Sequence, residues 1–290
     1  MDMAALQAMI YRQVKRWLTE RSRVIGTVLN PLLWIIFLGV GLSTVFTFNP
    51  SDVAKYLPSL PGISATALAN QLANMIQDAI NSRFGGLDYL TFMVTSMPAI
   101  AIFMTSFISG ISIIWDRQFG FLKETLVAPA PRTQIILGRL VGDSIVSTLQ
   151  GLIVIALGFA VSAQIRPLGI IPAAGFLFIS SLAFSAMGSL IALYLSSMEG
   201  FQMIVNVIAM PLMFMSGAFY PVSTLPEWMK VVAYANPLTY AVHGIRFSLT
   251  GSSPEGWPSG PLVDAAVLAA YALVFVLAAG MKFRRTTVEE

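Results

Sequence analysis

An all-α polytopic membrane protein is the fold class that this chain predicts, on three observations. Of its 290 residues, 56% are hydrophobic and only 11% are charged, against roughly 25% charged in an ordinary soluble domain. The mean hydropathy is +0.76, so the bilayer must be part of the solvent. The apolar residues also gather into runs near the ~20 residues that cross a hydrocarbon core as a helix, with charges between the runs. There is no cysteine and one histidine. That excludes disulfides, thiol catalysis and cysteine metal sites, and it argues against a histidine-based metal centre.

Asp2 to Glu20 reads as an amphipathic helix. Met3, Leu6, Ile10, Val14 and Trp17 recur at helical spacing, opposite Arg12, Lys15 and Arg16. Such a helix suits an anionic leaflet surface. It is not read as a signal peptide, because the apolar run that follows is too long and no small-residue cleavage site ends it. Six spans are expected, at residues 24–46, 89–114, 140–163, 172–195, 202–219 and 261–281. Between the first two, Ser64 to Phe84 reads as an interfacial helix. Leu68, Leu72, Ile76 and Ile80 form one stripe and Asn70, Asn74, Gln77, Asp78 and Asn81 the other.

The segment from Trp115 to Arg139 joins the second and third spans. It carries Arg117, Lys123, Arg132 and Arg139, with Asp116 and Glu124, interleaved with Phe119, Phe121, Leu122, Leu126 and Val127. Asp116 is a fair N-cap, and Pro129 and Pro131 stop a helix near Ala128. A short amphipathic helix of this kind lies flat on lipid headgroups, or plugs an apolar face into a soluble partner. Both modes share one sequence signature.

Orientation follows from the basic residues. If both termini share a side, that side receives Arg12, Lys15, Arg16, Arg21, Arg23, Arg117, Lys123, Arg132, Arg139, Lys282, Arg284 and Arg285. The other side receives Lys55, Arg83, Arg166, Lys230 and Arg246. The richer side is therefore read as cytoplasmic, with both termini on it.

Phe219 to Gly251 is too long for a turn and too apolar for a solvated loop. Thr224 to Glu227 fits a capping box, and Asn236-Pro237 fits an N-cap followed by proline. Two short helices are expected, at residues 226–235 and 237–249. Both are too short to cross, so they enter the leaflet and return. Tyr220, Trp228, Tyr234, Tyr240 and Trp257 supply an aromatic belt at that depth.

Asp143 sits one turn from Arg139 and is expected to pair with it; the alternative is a gate or proton-relay carboxylate. No second ionisable residue sits deep in the first five spans, which argues against proton-coupled transport. Asp264 reads as interfacial and His243 as a hydrogen-bonded packing residue. Gly138 and Gly142 fit a small-xxx-small contact between helices. The second span carries Met97, Phe103 and Phe107, and the fifth carries Asn206, Met210 and Phe214. Methionine recurs at promiscuous apolar surfaces, although lipid-facing or packing roles explain each position as well. Gln150 and Asn206 either orient a bound molecule or bond between helices.

The segment Arg117 to Glu124, with Ala128-Pro129-Ala130-Pro131-Arg132, resembles the loop after the second span in permeases of type-2 ABC exporters. Ser216-Gly217-Ala218-Phe219-Tyr220-Pro221, then Leu225-Pro226, then Asn236-Pro237-Leu238-Thr239-Tyr240, is similar to their re-entrant hairpin before the last span. The resemblance covers about residues 12–280 and is nearest to drug-efflux permeases of the daunorubicin-resistance kind. It implies a single transmembrane domain over 24–284, after a connecting helix at 1–23 and before a cytoplasmic tail at 285–290. It implies a second permease copy and cytosolic ATPase subunits as partners, with no nucleic acid, and a prokaryotic plasma membrane as location. Arg117, Phe119, Phe121, Leu122, Lys123, Glu124 and Leu126 become ATPase-coupling residues, with the aromatic and leucine side chains as knobs. Met97, Phe103, Phe107, Gln150, Asn206, Met210 and Phe214 become the translocation path. Tyr220, Pro221, Pro226, Asn236, Pro237 and Tyr240 become the hairpin.

The chain holds no G-x-x-x-x-G-K-[ST] segment. ATP and Mg are therefore expected on the partner ATPase, with no cofactor in this chain. The expected activity is ATP-driven export of hydrophobic or amphipathic compounds. Export of a lipid-linked polysaccharide is the alternative within the family, and an ion-coupled carrier the alternative outside it. An intramembrane enzyme finds no support in an H-E-x-x-H or a paired carboxylate within a span.

Overall fold

The computed structural model describes residues 4–19, 21–55, 64–127, 129–162 and 164–286, and every regular element among them is helical. Met3, Ala128 and the tail from 287 lie outside the described residues, as does the side chain of Leu126. The chain opens with α1 (Ala4–Thr19) and α2 (Arg21–Trp34), which passes through a π-helical stretch at Ile35–Val40 into α3 (Gly41–Phe46). Two peripheral helices follow, α4 (Pro50–Ala54) and α5 (Ala65–Arg83). The Ser64 hydroxyl caps α5 by accepting from the Ala67 N–H.

The second span comes in three pieces, α6 (Tyr89–Val94), α7 (Met97–Ser109) and α8 (Ile111–Gln118). Pro98 cannot donate to the Val94 carbonyl, so the helix breaks at Thr95 and Ser96. The short α9 (Phe121–Val127) leads to α10 (Arg132–Val161), α11 (Ile170–Tyr194) and α12 (Met198–Phe214). Finally α13 (Glu227–Tyr234) and α14 (Pro237–Thr250) precede α15 (Pro261–Arg285).

Five stretches among the described residues are long and apolar enough to cross a membrane: Leu29–Ala54, Tyr89–Gln118, Arg132–Val161, Pro167–Tyr194 and Pro261–Arg285. The expected fifth span, α12, is apolar but has 17 residues, about 25 Å of helix at 1.5 Å per residue.

The core lies where α7, α10 and α11 meet. Phe103 packs edge-on against Phe184 with ring centroids 4.9 Å apart. Backbones touch there because two positions lack side chains. A Cβ on Gly110 would stand 2.3 Å from the Gly188 carbonyl oxygen, and one on Gly188 would stand 2.1 Å from that of Phe107. Small residues allow such approach between apolar helices. The same device seats α1 along α10. A Cβ on Gly138 would meet the Leu6 carbonyl oxygen at 2.7 Å, and one on Gly142 would meet Gln13 Cβ at 2.9 Å. Thus α1 packs on the protein itself, with Gln13 and Trp17 buried, and Arg12 turns inward instead of joining a solvated face.

Helix ends meet at two levels. At one end Arg117 donates to the Leu195 carbonyl at 3.0 Å, and Arg132 to those of Arg284 and Thr286 at 3.0 and 2.7 Å. At the other, the Thr91 and Ser162 hydroxyls lie 2.6 Å apart, and the Arg166 N–H donates to the Leu249 carbonyl at 2.7 Å. These are called the basic end and the hairpin end below.

Candidate functional site

At the basic end, Asp116 is the centre. It belongs to α8, not to the start of α9, and it is buried. Arg139 Nη1 donates to it at 2.7 Å and Arg12 Nη2 at 3.0 Å. Arg139 also bonds the Ser112 hydroxyl. Two sequence expectations change here. Asp116 is not the N-cap, because α8 continues the second span through Gln118 and turns only at Gly120, where φ is 79°. Arg139 pairs with Asp116 rather than with Asp143, since α1, α8 and α10 converge on one carboxylate.

That cluster fixes which face of α9 looks outward. Leu122 is turned into the protein's own core. Phe121 is half-buried, with the Arg12 guanidinium 4.0 Å above its ring. The expected knob role of Leu122 therefore yields to internal packing. Phe119 is 79% exposed and Val127 75%, and Lys123 and Glu124 are exposed beside them. Arg117 is tied to Leu195.

The expected path residues divide in two. Met97, Phe103, Phe107 and Gln150 are buried among α7, α10 and α11. The Gln150 amide has no hydrogen-bond partner among the described residues. By contrast α12 leaves a face open: Met203 is 69% exposed and Met210 67%, with Phe214, Gln202 and Asn206 on the same side. Gln202 donates to Asn206 at 3.0 Å, one helical turn along. A separate groove of about 220 Å³ runs between α2 and α7, lined by Asn30, Pro31, Met104 and Thr105.

The hairpin end is knitted tightly. Asn236 caps α14 by accepting from the Leu238 N–H at 2.9 Å, and its amide donates to the Leu212 carbonyl at 2.7 Å, fastening α14 to α12. Tyr240 donates to the Tyr234 carbonyl at 2.8 Å. Pro221 opens a 3-10 turn over Val222–Thr224, Pro226 precedes α13, and Pro237 starts α14. Tyr220 packs on both clusters here. The expected capping box is absent: the Thr224 hydroxyl donates to the Pro221 carbonyl at 2.7 Å within its own turn.

Two residues at this end carry more than the sequence suggested. Arg246 is 2% exposed. Its guanidinium lies over Phe92 at 3.7 Å and donates to the Gly217 carbonyl at 2.9 Å and to the Ser96 hydroxyl. Asp264, in the first turn of α15, is fully buried within the protein, because His243 and Ser259 close over it. A charge inside a short apolar helix was the available signal for Arg246. Its partners on α6 and after α12 left none.

Comparison with known proteins adds the lineage. The family description "ABC-2 type transporter" matches residues 4–250. The chain is 28% identical over 246 residues to ycf38 of Cyanophora paradoxa, a chain whose name reads transport permease; the match covers 83% of this chain and 73% of that one. It is 23% identical over 222 residues to "Inner membrane transport permease YadH" of Escherichia coli (strain K12), covering 76% and 85%. Over 156 residues it is 31% identical to "Probable multidrug ABC transporter permease YbhR" of the same organism, covering 53% and 42%.

Proposed function

The chain belongs to the ABC-2 type transporter family, and from that premise we propose that it is the six-span permease of an ATP-driven exporter of hydrophobic or amphipathic compounds. Membership makes it a membrane-spanning transporter subunit and implies an ABC ATPase as its partner. The rest is the proposal: residues 24–284 form one transmembrane domain with both termini in the cytoplasm of a prokaryote. Residues 1–23 form the connecting helix, 285–290 a short tail, and a second copy completes the unit. ATP and Mg bind the ATPase, and this chain supplies the path that ATP binding tips between two states.

The observation that carries the cargo class is the open face of α12. Met203, Met210 and Phe214 stand exposed there beside the Gln202–Asn206 pair. Methionine adapts to varied apolar shapes, and one amide pair offers limited orientation to a polar group. The outward face of α9, with Lys123, Glu124 and Val127, and Phe119 at the end of α8 beside it support docking into an ATPase groove, apolar side chains giving contact and charges register. The proposed hairpin, at residues 219–251, dips into the outer leaflet, and the helix within 64–84 shields the outer mouth.

The test is a gentle solubilisation with this chain tagged. Equimolar co-purification of a P-loop ATPase, with ATPase activity stimulated by apolar compounds, is the expected result. Transport that persists without ATP or an ATPase would overturn the proposal in favour of an ion-coupled carrier. Stimulation by lipid-linked glycans alone would keep the machinery and replace the cargo.

A further inference from the structure

We propose that Ser253, His243 and Asp264 form a serine acyl-transfer centre at the hairpin end, acting on carboxylic esters. The three come from separate places: α14 supplies His243, the connection after it supplies Ser253, and the first turn of α15 supplies Asp264. Asp264 Oδ2 bonds His243 Nδ1, and Ser253 Oγ lies 2.8 Å from His243 Nε2. The order is that of a nucleophile, a base and the carboxylate that orients the base, within the reach such groups need. With Nδ1–H donated to Asp264, Nε2 is the atom left to accept from Ser253.

Burial of Asp264 explains only part of this arrangement. The carboxylate is 0% exposed, and His243 on one oxygen with Ser259 at 2.6 Å on the other satisfies it. Nothing in that requires an exposed serine on Nε2, since an exposed hydroxyl can bond water. The His243 ring is itself 3% exposed and packs against Trp257, tilted by 31° with centroids 4.9 Å apart. The base is thus enclosed, while Ser253 is an exposed residue.

The loop around Ser253 is shaped by glycine. Gly251 ends α14 with φ 75°. Gly85, also at φ 75°, sits so close that a Cβ on it would stand 2.5 Å from the Ser253 carbonyl oxygen. The loop after α5 thereby buttresses the nucleophile. The backbone N–H groups of Ser253 and Glu255 make no hydrogen bond among the described residues. They are the donors at hand for a developing oxyanion.

The chemistry closes with these groups and water. Ser253 Oγ attacks the ester carbonyl carbon while its proton passes to His243 Nε2. The carbon–oxygen bond to the leaving alcohol breaks, and that oxygen takes the proton from Nε2. Water, deprotonated by the same nitrogen, attacks the acyl-serine, and the acid and free Ser253 are released. The centre is independent of the transport reading, so either can fail alone.

The test uses the full chain in lipid nanodiscs and a fluorophosphonate reporter, with the adduct located by peptide mass. Wild type is expected to label at Ser253, Ser253→Ala not at all, and His243→Gln and Asp264→Asn about a hundredfold more slowly or worse. Because buried substitutions can unfold the protein, Ser253→Cys gives a second reading. In this cysteine-free chain, His243 should make its thiol react with iodoacetamide at least about tenfold faster than that of Leu262→Cys, whose position is 86% exposed. No fluorophosphonate adduct on folded wild type, together with equal thiol rates, overturns the proposal.

Discussion

Asp116 lies between two guanidinium groups on different helices, and the physics of buried ion pairs makes its replacement informative. Removing one partner leaves Arg139 charged and buried, which destabilises by about 3–5 kcal/mol. Asp116→Ala is therefore expected to lower the detergent melting temperature by several degrees. The double change Asp116→Leu with Arg139→Met should recover most of it, because an apolar pair needs no desolvated charge. An additive double mutant would show that the pair contributes nothing to stability. Gln150 tests the opposite case. Its buried amide has no partner among the described residues, and an unmet polar group of this kind costs about 1–3 kcal/mol. Gln150→Met should raise the melting temperature and leave transport intact. A fall in transport at unchanged expression would return Gln150 to the path.

At the scale of elements, α9 and α1 depend on each other. Arg12 bridges Asp116 and the Phe121 ring, so the position of α9 relative to α8 is set through α1. Leu122→Asp would unfold this corner rather than report on a partner. Phe119→Asp with Val127→Asp changes only exposed positions. That pair is expected to abolish ATPase co-purification while the membrane-inserted yield stays unchanged. Retained co-purification would remove α9 from the docking surface. The seat of α1 has its own check. Gly138→Val places a methyl against the Leu6 backbone, and such overpacking costs about 1–3 kcal/mol. Faster proteolysis within residues 4–19 at unchanged insertion is the expected readout.

For the whole molecule α12 is one of the open sides, along with the first span (Leu33, Phe37) and α15 (Leu273, Val274). A helix with Met203 and Met210 exposed in one protomer either meets lipid or meets a second copy. The absence of cysteine makes the distinction direct. Met210→Cys in native membranes should form a covalent dimer with a short bifunctional maleimide. Leu273→Cys, on α15 and 60% exposed, should not. Equal crosslinking at both positions would mean random collision in the bilayer, and the second copy would have to dock elsewhere.

Membrane class, the helices α5, α13 and α14, and the proline and asparagine signals around 226–237 were legible in the chain. Hydropathy, capping and helix-breaking act within a few residues, and local sequence records them. Long-range polar pairing was not legible. Arg12, Asp116 and Arg139 stand as three ordinary charges in the chain, and only the meeting of α1, α8 and α10 makes them one cluster. The same holds for the apolar stripes. Phe103 and Met210 look alike in sequence, because in a bilayer both core and surface are apolar and periodicity cannot tell them apart. Packing decided that Phe103 is interior and Met210 is open. Burial of Asp264 beneath His243 likewise required the closing of α14 on α15. Short-range chemistry specified the elements; which side chains meet, and which face stays free, was left to the tertiary fold, because helices far apart in the chain share no local signal.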